Sequence, residues 1–178
     1  MDMKSLPILF LVIFVLISCE QSADVSNTKS FSAKGIVLTH PGNWKVTEDV
    51  FEGEFRYLFI ESSGNAIVAI NTYPKNKAPT LDEYVEFIVS EYSNALPFGS
   101  RDKGKINKIK KNISNTSIDG YRNNFAVEIA GIKEPHTSEI FLITSNETSA
   151  FIMTQVATED KEKVVKGFDL VLSTIKLD

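Results

Sequence analysis

The sequence predicts an α+β domain built on a central, mainly antiparallel β-sheet, and three observations lead there. Alternating apolar runs come in pairs separated by short turn-rich stretches, which is the layout of β-hairpins. Two segments, near Thr80 and near Val164, space their apolar residues as a helix does. The strand-like runs bunch before and between these two segments, an order that belongs to α+β architecture.

In chain order, Ile36-Val37-Leu38-Thr39 is a short strand ended by the turn His40-Pro41-Gly42-Asn43, where proline fixes φ and glycine and asparagine suit the bend. Trp44 and Val46 resume the apolar alternation. Tyr57 to Glu61 and Ala66 to Tyr73 flank Ser62-Ser63-Gly64-Asn65 as a hairpin, and the second run is apolar on both faces, so it must be covered on two sides. Thr80 and Glu83 form a capping box, after which Leu81, Tyr84, Val85, Ile88, Val89, Tyr92 and Leu96 share one helical face until Pro97 ends it. Lys105 to Ser114 and Gly120 to Ile129 are strands, and Gly131 to Pro135 is a turn. The runs Thr137 to Thr144 and Ala150 to Val156 make a hairpin around Ser145-Asn146-Glu147-Thr148. Val164, Val165, Phe168, Val171, Leu172 and Ile175 mark a closing helix, in which Gly167 costs up to ~1 kcal/mol relative to alanine and is expected at a close packing contact.

The chain begins differently. Asp2 and Lys4 precede an apolar block, Leu6 to Ile17, that is shorter than the roughly 20 residues a bilayer span needs. A charged start, an apolar stretch and a small exit residue are the layout of a cleaved secretory signal. The exit, Leu16-Ile17-Ser18-Cys19, resembles a bacterial lipobox, in which the cysteine is acylated and becomes the first residue of the mature chain. Ordinary signal cleavage needs small residues at two positions before the cut, and Leu16 with Ile17 does not supply them. The competing reading is a non-lipidated leader with Cys19 incidental, or a thiol for an intermolecular disulfide. Two or more acyl chains hold a protein at a membrane stably. With Cys19, the single cysteine, used in this way, no thiol remains for a metal site or a nucleophile.

The expected organisation is therefore 1–18 as signal peptide, 19–30 as lipidated Cys19 and flexible tether, and 31–178 as one folded domain. Glu20 in place of aspartate after the cysteine favours the periplasmic face of an outer membrane in a Gram-negative cell. A net charge of −4 and an exported chain both speak against nucleic acid, whose binders present a strongly basic face.

The succession His40-Pro41-Gly42-Asn43-Trp44, Thr80-Leu81-Asp82-Glu83-Tyr84, Asp119-Gly120-Tyr121 and Phe168-x-x-Val171-Leu172-Ser173-Thr174-Ile175-Lys176 resembles the PsbP-like family, from about Phe31 onward. The resemblance implies a helix-flanked central sheet, an α/β/α sandwich. It also brings the observation that many bacterial members are small lipoproteins. Plant and cyanobacterial members assist the oxygen-evolving complex and are associated with its calcium; no motif here carries that role to particular residues.

Candidate chemistry is sparse. His40 and His136 are the only histidines, and both adjoin a proline in expected turns; no Gly-x-Ser-x-Gly elbow accompanies them, so packing is preferred over a hydrolytic triad. Glu48, Asp49, Glu52 and Glu54 surround Gly53, where a calcium ion could be held by carboxylates, although a solvated acidic loop is the simpler reading. Lys103, Lys105, Lys108, Lys110 and Lys111 either meet anionic headgroups or protect a sheet edge from aggregation, the second preferred. Tyr84 and Tyr92 belong to the core face of the first helix. With Phe87 and Phe98 they could line a ligand groove beside that helix, and Phe87, which lies off the core face, is the better contact candidate if it is exposed. Asn112-Ile113-Ser114, Asn115-Thr116-Ser117 and Asn146-Glu147-Thr148 match the glycosylation pattern, which a bacterial lipobox makes moot. The expectation is a non-enzymatic, membrane-anchored envelope lipoprotein without cofactor or metal, held by membrane lipid through acylated Cys19 and binding an envelope protein or component. The alternatives are a hydrolase using His40 or His136, and a small-ligand or calcium carrier.

Overall fold

The computed structural model describes residues 20–94, 99–113 and 116–178. Cys19 with the leader, Leu96 of the expected helical face, Pro97 and Phe98, Ser114 and Asn115, and the side chain of Tyr92 lie outside the described residues. In chain order the elements are β1 Thr28–Ala33, β2 Ile36–Pro41, β3 Lys45–Glu52, β4 Phe55–Glu61, β5 Ile67–Pro74, α1 Leu81–Asn94, β6 Ser100–Arg101, β7 Lys105–Ile113, β8 Thr116–Ile129, β9 Ile132–Thr144, β10 Thr148–Ala157, α2 Lys161–Thr174 and β11 Lys176–Leu177. An eight-stranded sheet has the order β3-β4-β5-β10-β9-β8, with β6 and β7 sharing the outer side of β8. A smaller sheet has the order β1-β2-β11. The pairings are antiparallel, so the expected α+β class with a mainly antiparallel sheet stands.

The centre of the large sheet is apolar on both faces. Val68, Ile70, Ala150 and Ile152 point one way, into a core with Trp44, Ile36 and Leu38 of β2, and Val164, Phe168, Val171 and Leu172 of α2. Their strand neighbours Ala69, Phe151 and Met153 point the other way, against Tyr84, Val85, Ile88 and Val89 of α1. Side chains alternate across a strand, so the two-sided sequence of β5 requires two covers. The sandwich expectation holds only in part. Strands dominate, each face of the sheet has one helix, and the β1-β2-β11 sheet shares a cover with α2.

Both helix readings rest on local chemistry that the structure contains. Thr80 N–H and Oγ1 each lie 2.8 Å from Glu83 Oε2, and Glu83 N–H donates back to Thr80 Oγ1 at 3.3 Å, completing the capping box. In α2, a Cβ at Gly167 would stand 2.8 Å from Ala23, Pro41 and Trp44, so the glycine allows the helix to press on the chain's own start.

Four expectations need correction. The tether expected over 19–30 is not free: β1 starts at Thr28, and residues 20–27 lie on the domain. The polar segment that reads as a tether stays largely exposed but is bonded to the domain at several points. Asn43 Nδ2 donates to Ser22 O at 3.0 Å, Asp24 N–H to Asn43 Oδ1 at 2.9 Å, and Ala23 N–H to Lys163 O at 2.9 Å. The acidic loop is largely strand β3, with only Gly53 and Glu54 in the turn to β4. The turn expected at Gly131 to Pro135 shrinks to Ala130-Gly131, because Pro135 lies in β9 opposite Ala126. Proline is tolerated there since β9 has already run past the end of β10 and needs no second ladder. Finally, His40 and His136 are strand residues, not turn residues.

Candidate functional site

The first described residue is held by three hydrogen bonds. Glu20 is buried, and its Oε2 accepts from Ser62 Oγ at 2.8 Å, Asn65 N–H at 2.8 Å and Ala66 N–H at 2.9 Å in the turn between β4 and β5. Gly64 makes room for it, since a Cβ there would lie 2.8 Å from Glu20 Cα. Asn65 ties the turn onward, donating to Asp160 Oδ2 at 3.1 Å and accepting from Ala157 N–H at 3.1 Å. A few residues on, the Asp24 carboxylate accepts from Ser26 Oγ at 2.7 Å and Asn27 Nδ2 at 3.0 Å, bonds that push its pKa down to about 2. Cys19 lies outside the described residues, but one peptide bond separates it from Glu20, about 3.8 Å between Cα atoms.

The histidines do not assemble a catalytic group. Burial lowers the His40 pKa from its ordinary value, and its Nδ1 faces the Pro41 carbonyl at 2.9 Å. It lines an open hollow of about 570 Å³ with Lys29, Ser30, Phe31, Trp44 and Lys45. His136 stacks on Phe125 with ring centroids 5.6 Å apart, and its Nδ1 faces Glu134 O at 3.1 Å. Among the described residues, neither imidazole bonds to a serine hydroxyl or a carboxylate.

The acids around Gly53 are divided among separate tasks. Asp49 receives Arg56 Nε at 2.7 Å and Nη2 at 3.1 Å, while Arg56 Nη1 reaches the carbonyls of Ala33 and Lys34 at 3.0 Å each. Glu54 pairs with Lys77. Among the described residues no group of three metal-ligating side chains gathers, so the structure gives a calcium site there no support. The lysines of β7 lie on a sheet edge, and three of them are paired: Lys108 with Asp82 at 3.5 Å, Lys110 with Asp119 at 3.4 Å, and Lys111 with Asp169 at 2.8 Å. Tyr84 is core, stacked on Phe151 at 3.9 Å, and Phe87 is exposed.

Sequence reasoning missed three clusters. Glu139, on β9, takes Arg122 Nε and Nη2 at 2.9 and 2.7 Å and Lys111 at 3.3 Å; burial pushes its carboxyl up, but Lys111, Arg122 and Lys161 outweigh this and hold it below the usual glutamate value. Tyr121 Oη donates to Asp82 Oδ1 at 2.5 Å beside Lys108, over a hollow of about 340 Å³. Ile129 and Ile132, flanking the β8–β9 turn, are 53% and 75% exposed. The first two join residues far apart in sequence. The third was visible as Ile-Ala-Gly-Ile once the turn was placed correctly.

These features define an α+β domain with a tied-down start, engaged charges and open hollows, with no hydrolytic triad among the described residues. Its architecture is that of PsbP: the chain is similar to the solution structure of cyanobacterial PsbP, CyanoP, from Synechocystis, with a TM-score of 0.55 at 12% identity over 86% of this chain and 94% of that one. Also similar are a protein from Bacteroides thetaiotaomicron, with a TM-score of 0.47 at 12% identity over 84% of this chain and 48% of that one, and LpqN, involved in cell envelope biogenesis of Mycobacterium tuberculosis, with a TM-score of 0.43 at 9% identity over 84% and 91%. At 12% identity the likeness to CyanoP shows the fold alone. No family model matches the chain, and a search of curated proteins finds no sequence match.

Proposed function

We propose that this protein is a bacterial envelope lipoprotein, held at the membrane by acylated Cys19, whose PsbP-like domain binds an envelope protein or component and catalyses no reaction. The observation that carries the anchor is the Leu16-Ile17-Ser18-Cys19 motif at the end of an apolar block. The residue after it, Glu20, is buried and hydrogen-bonded into the domain. A mature chain cut before Cys19 therefore keeps the Glu20 contacts. Among the described residues no helix is long and apolar enough to cross a membrane; in this reading the attachment is made by the acyl chains on Cys19.

The binding role is favoured over catalysis by the environments of the two histidines. A general base needs a positioned partner and a substrate cavity, and these imidazoles face backbone carbonyls. The anchor is tested by growing cells on an alkyne-tagged fatty acid. Label on the native chain, lost in Cys19→Ser together with detergent-phase partitioning, supports it; an unlabelled native chain contradicts it.

A further inference from the structure

The register of the large sheet places an exposed apolar hairpin tip at the end of the domain where Glu20 docks. Ile67, at the start of β5, pairs with Gln155 of β10, and Gln155 pairs with Ser138 of β9. Moving from that row toward the Glu20 turn means descending β5, ascending β10 to Ala157 and descending β9 toward Ile132. Pairing of β9 with β10 stops at His136 opposite Ala157, whereas pairing with β8 continues to Ile132 opposite Ile129. The β8–β9 ribbon therefore outruns β10 by four residues of β9, about 13 Å at ~3.3 Å per residue, with β6 paired to β8 at Val127 and Glu128 on its other side, so that the turn and its two isoleucines stand beyond the last paired neighbour. Strand twist of roughly 20–25° per step turns β9 relative to β5 without carrying it to the opposite end.

The tip is built to be firm. Ala130 and Gly131 both have positive φ, +52° and +79°, which is the backbone of a two-residue primed turn. The turn sets Ile129 and Ile132 directly opposite each other, and Ile132 is the most exposed of the large apolar side chains among the described residues. Charged residues follow behind, with Glu128 opposite Lys133. An apolar tip with a charged collar fits the boundary between acyl chains and headgroups, where apolar side chains bury and charged ones stay wet.

We propose that this end of the domain lies on the lipid bilayer, with Ile129 and Ile132 inserting as a second membrane contact beside acylated Cys19. The inference rests on the anchor reading above and extends it from attachment to orientation. What selects a bilayer as occupant is the absence of any free tether: Glu20 is fixed in the 62–66 turn, so an acylated residue 19 keeps the lipid surface next to this end of the sheet.

The test uses the full chain, expressed with its leader in a bacterial host, extracted in detergent and reconstituted into phosphatidylethanolamine and phosphatidylglycerol vesicles with or without bromine on the acyl chains. Trp44, the sole tryptophan, is fully buried and gives a constant background. Ile132→Trp reports the tip, Ile129→Trp reports it from across the turn, and Asn146→Trp, in the turn before β10, reports the opposite end of the sheet. Intact mass is read on each sample. Brominated lipid is expected to quench both tip tryptophans at least twofold more than Trp at 146. Equal quenching at the two ends, or unquenched tips in protein whose mass includes the acyl chains, overturns the orientation and leaves the anchor standing, and crosslinking of such a tip to an envelope protein would give it a protein partner instead. A mass without acyl chains overturns the anchor reading and the orientation with it.

Discussion

Glu20 Oε2 lies 2.8 Å from Ser62 Oγ, so the side chain next to Cys19 is bonded into the turn between β4 and β5. The same oxygen accepts two backbone amides, of Asn65 and Ala66, and a charged acceptor makes such bonds stronger than neutral ones. The start of the domain is thereby fixed by a residue whose sequence context reads as tether.

Replacing Gly64 by alanine tests this latch without touching the lipobox. The added methyl meets the Glu20 backbone, which cannot rotate away as a long side chain could. Amide exchange of residues 20–27 is expected to rise at least tenfold while the core strands β5 and β10 keep their protection. Unchanged exchange would show that the latch does not hold the segment.

Arg56→Lys is expected to destabilise the domain by about 2–4 kcal/mol, because a lysine cannot replace a buried guanidinium that serves one carboxylate and two carbonyls at once. Urea denaturation measures it. A loss below ~0.5 kcal/mol would mean that water replaces the missing donors.

His40 makes stability pH-dependent. Its folded pKa lies below the ordinary value of 6.5 because burial disfavours the imidazolium, so the unfolded chain binds more protons. Its contribution is complete above about pH 6.5 and is lost as pH falls toward the folded value. His40→Gln is expected to flatten the stability profile between pH 7 and 5, measured as the urea midpoint against the native chain.

Thr80→Ala removes one half of the capping box on α1 and is expected to cost about 1 kcal/mol. It also raises the Glu83 carboxyl pKa, since the Thr80 backbone and hydroxyl bonds hold that carboxyl below its usual value. Carboxylate titration by NMR reads both halves of the exchange.

What the sequence disclosed was local. The capping box, the two-sided run Ile67 to Ile70, the apolar spacing Leu81 to Val89 and that of Val164 to Leu172 depend on near neighbours, and each is present. The site features that stayed hidden depend on distant ones: Glu20 with Ser62, Arg122 with Glu139, and Tyr121 with Asp82. Pro135 was misleading in an instructive way. It reads as a turn because proline breaks ladders, yet it occupies a strand where β9 has outrun its neighbour, the same overhang that carries the isoleucine tip.

The most direct test of the central claim is the intact mass of protein extracted from the membranes of its own cells. The account predicts a chain starting at Cys19 with a diacylglyceryl group on its sulfur. A chain with an unmodified sulfur there, or one that retains residues 1–18, would contradict it.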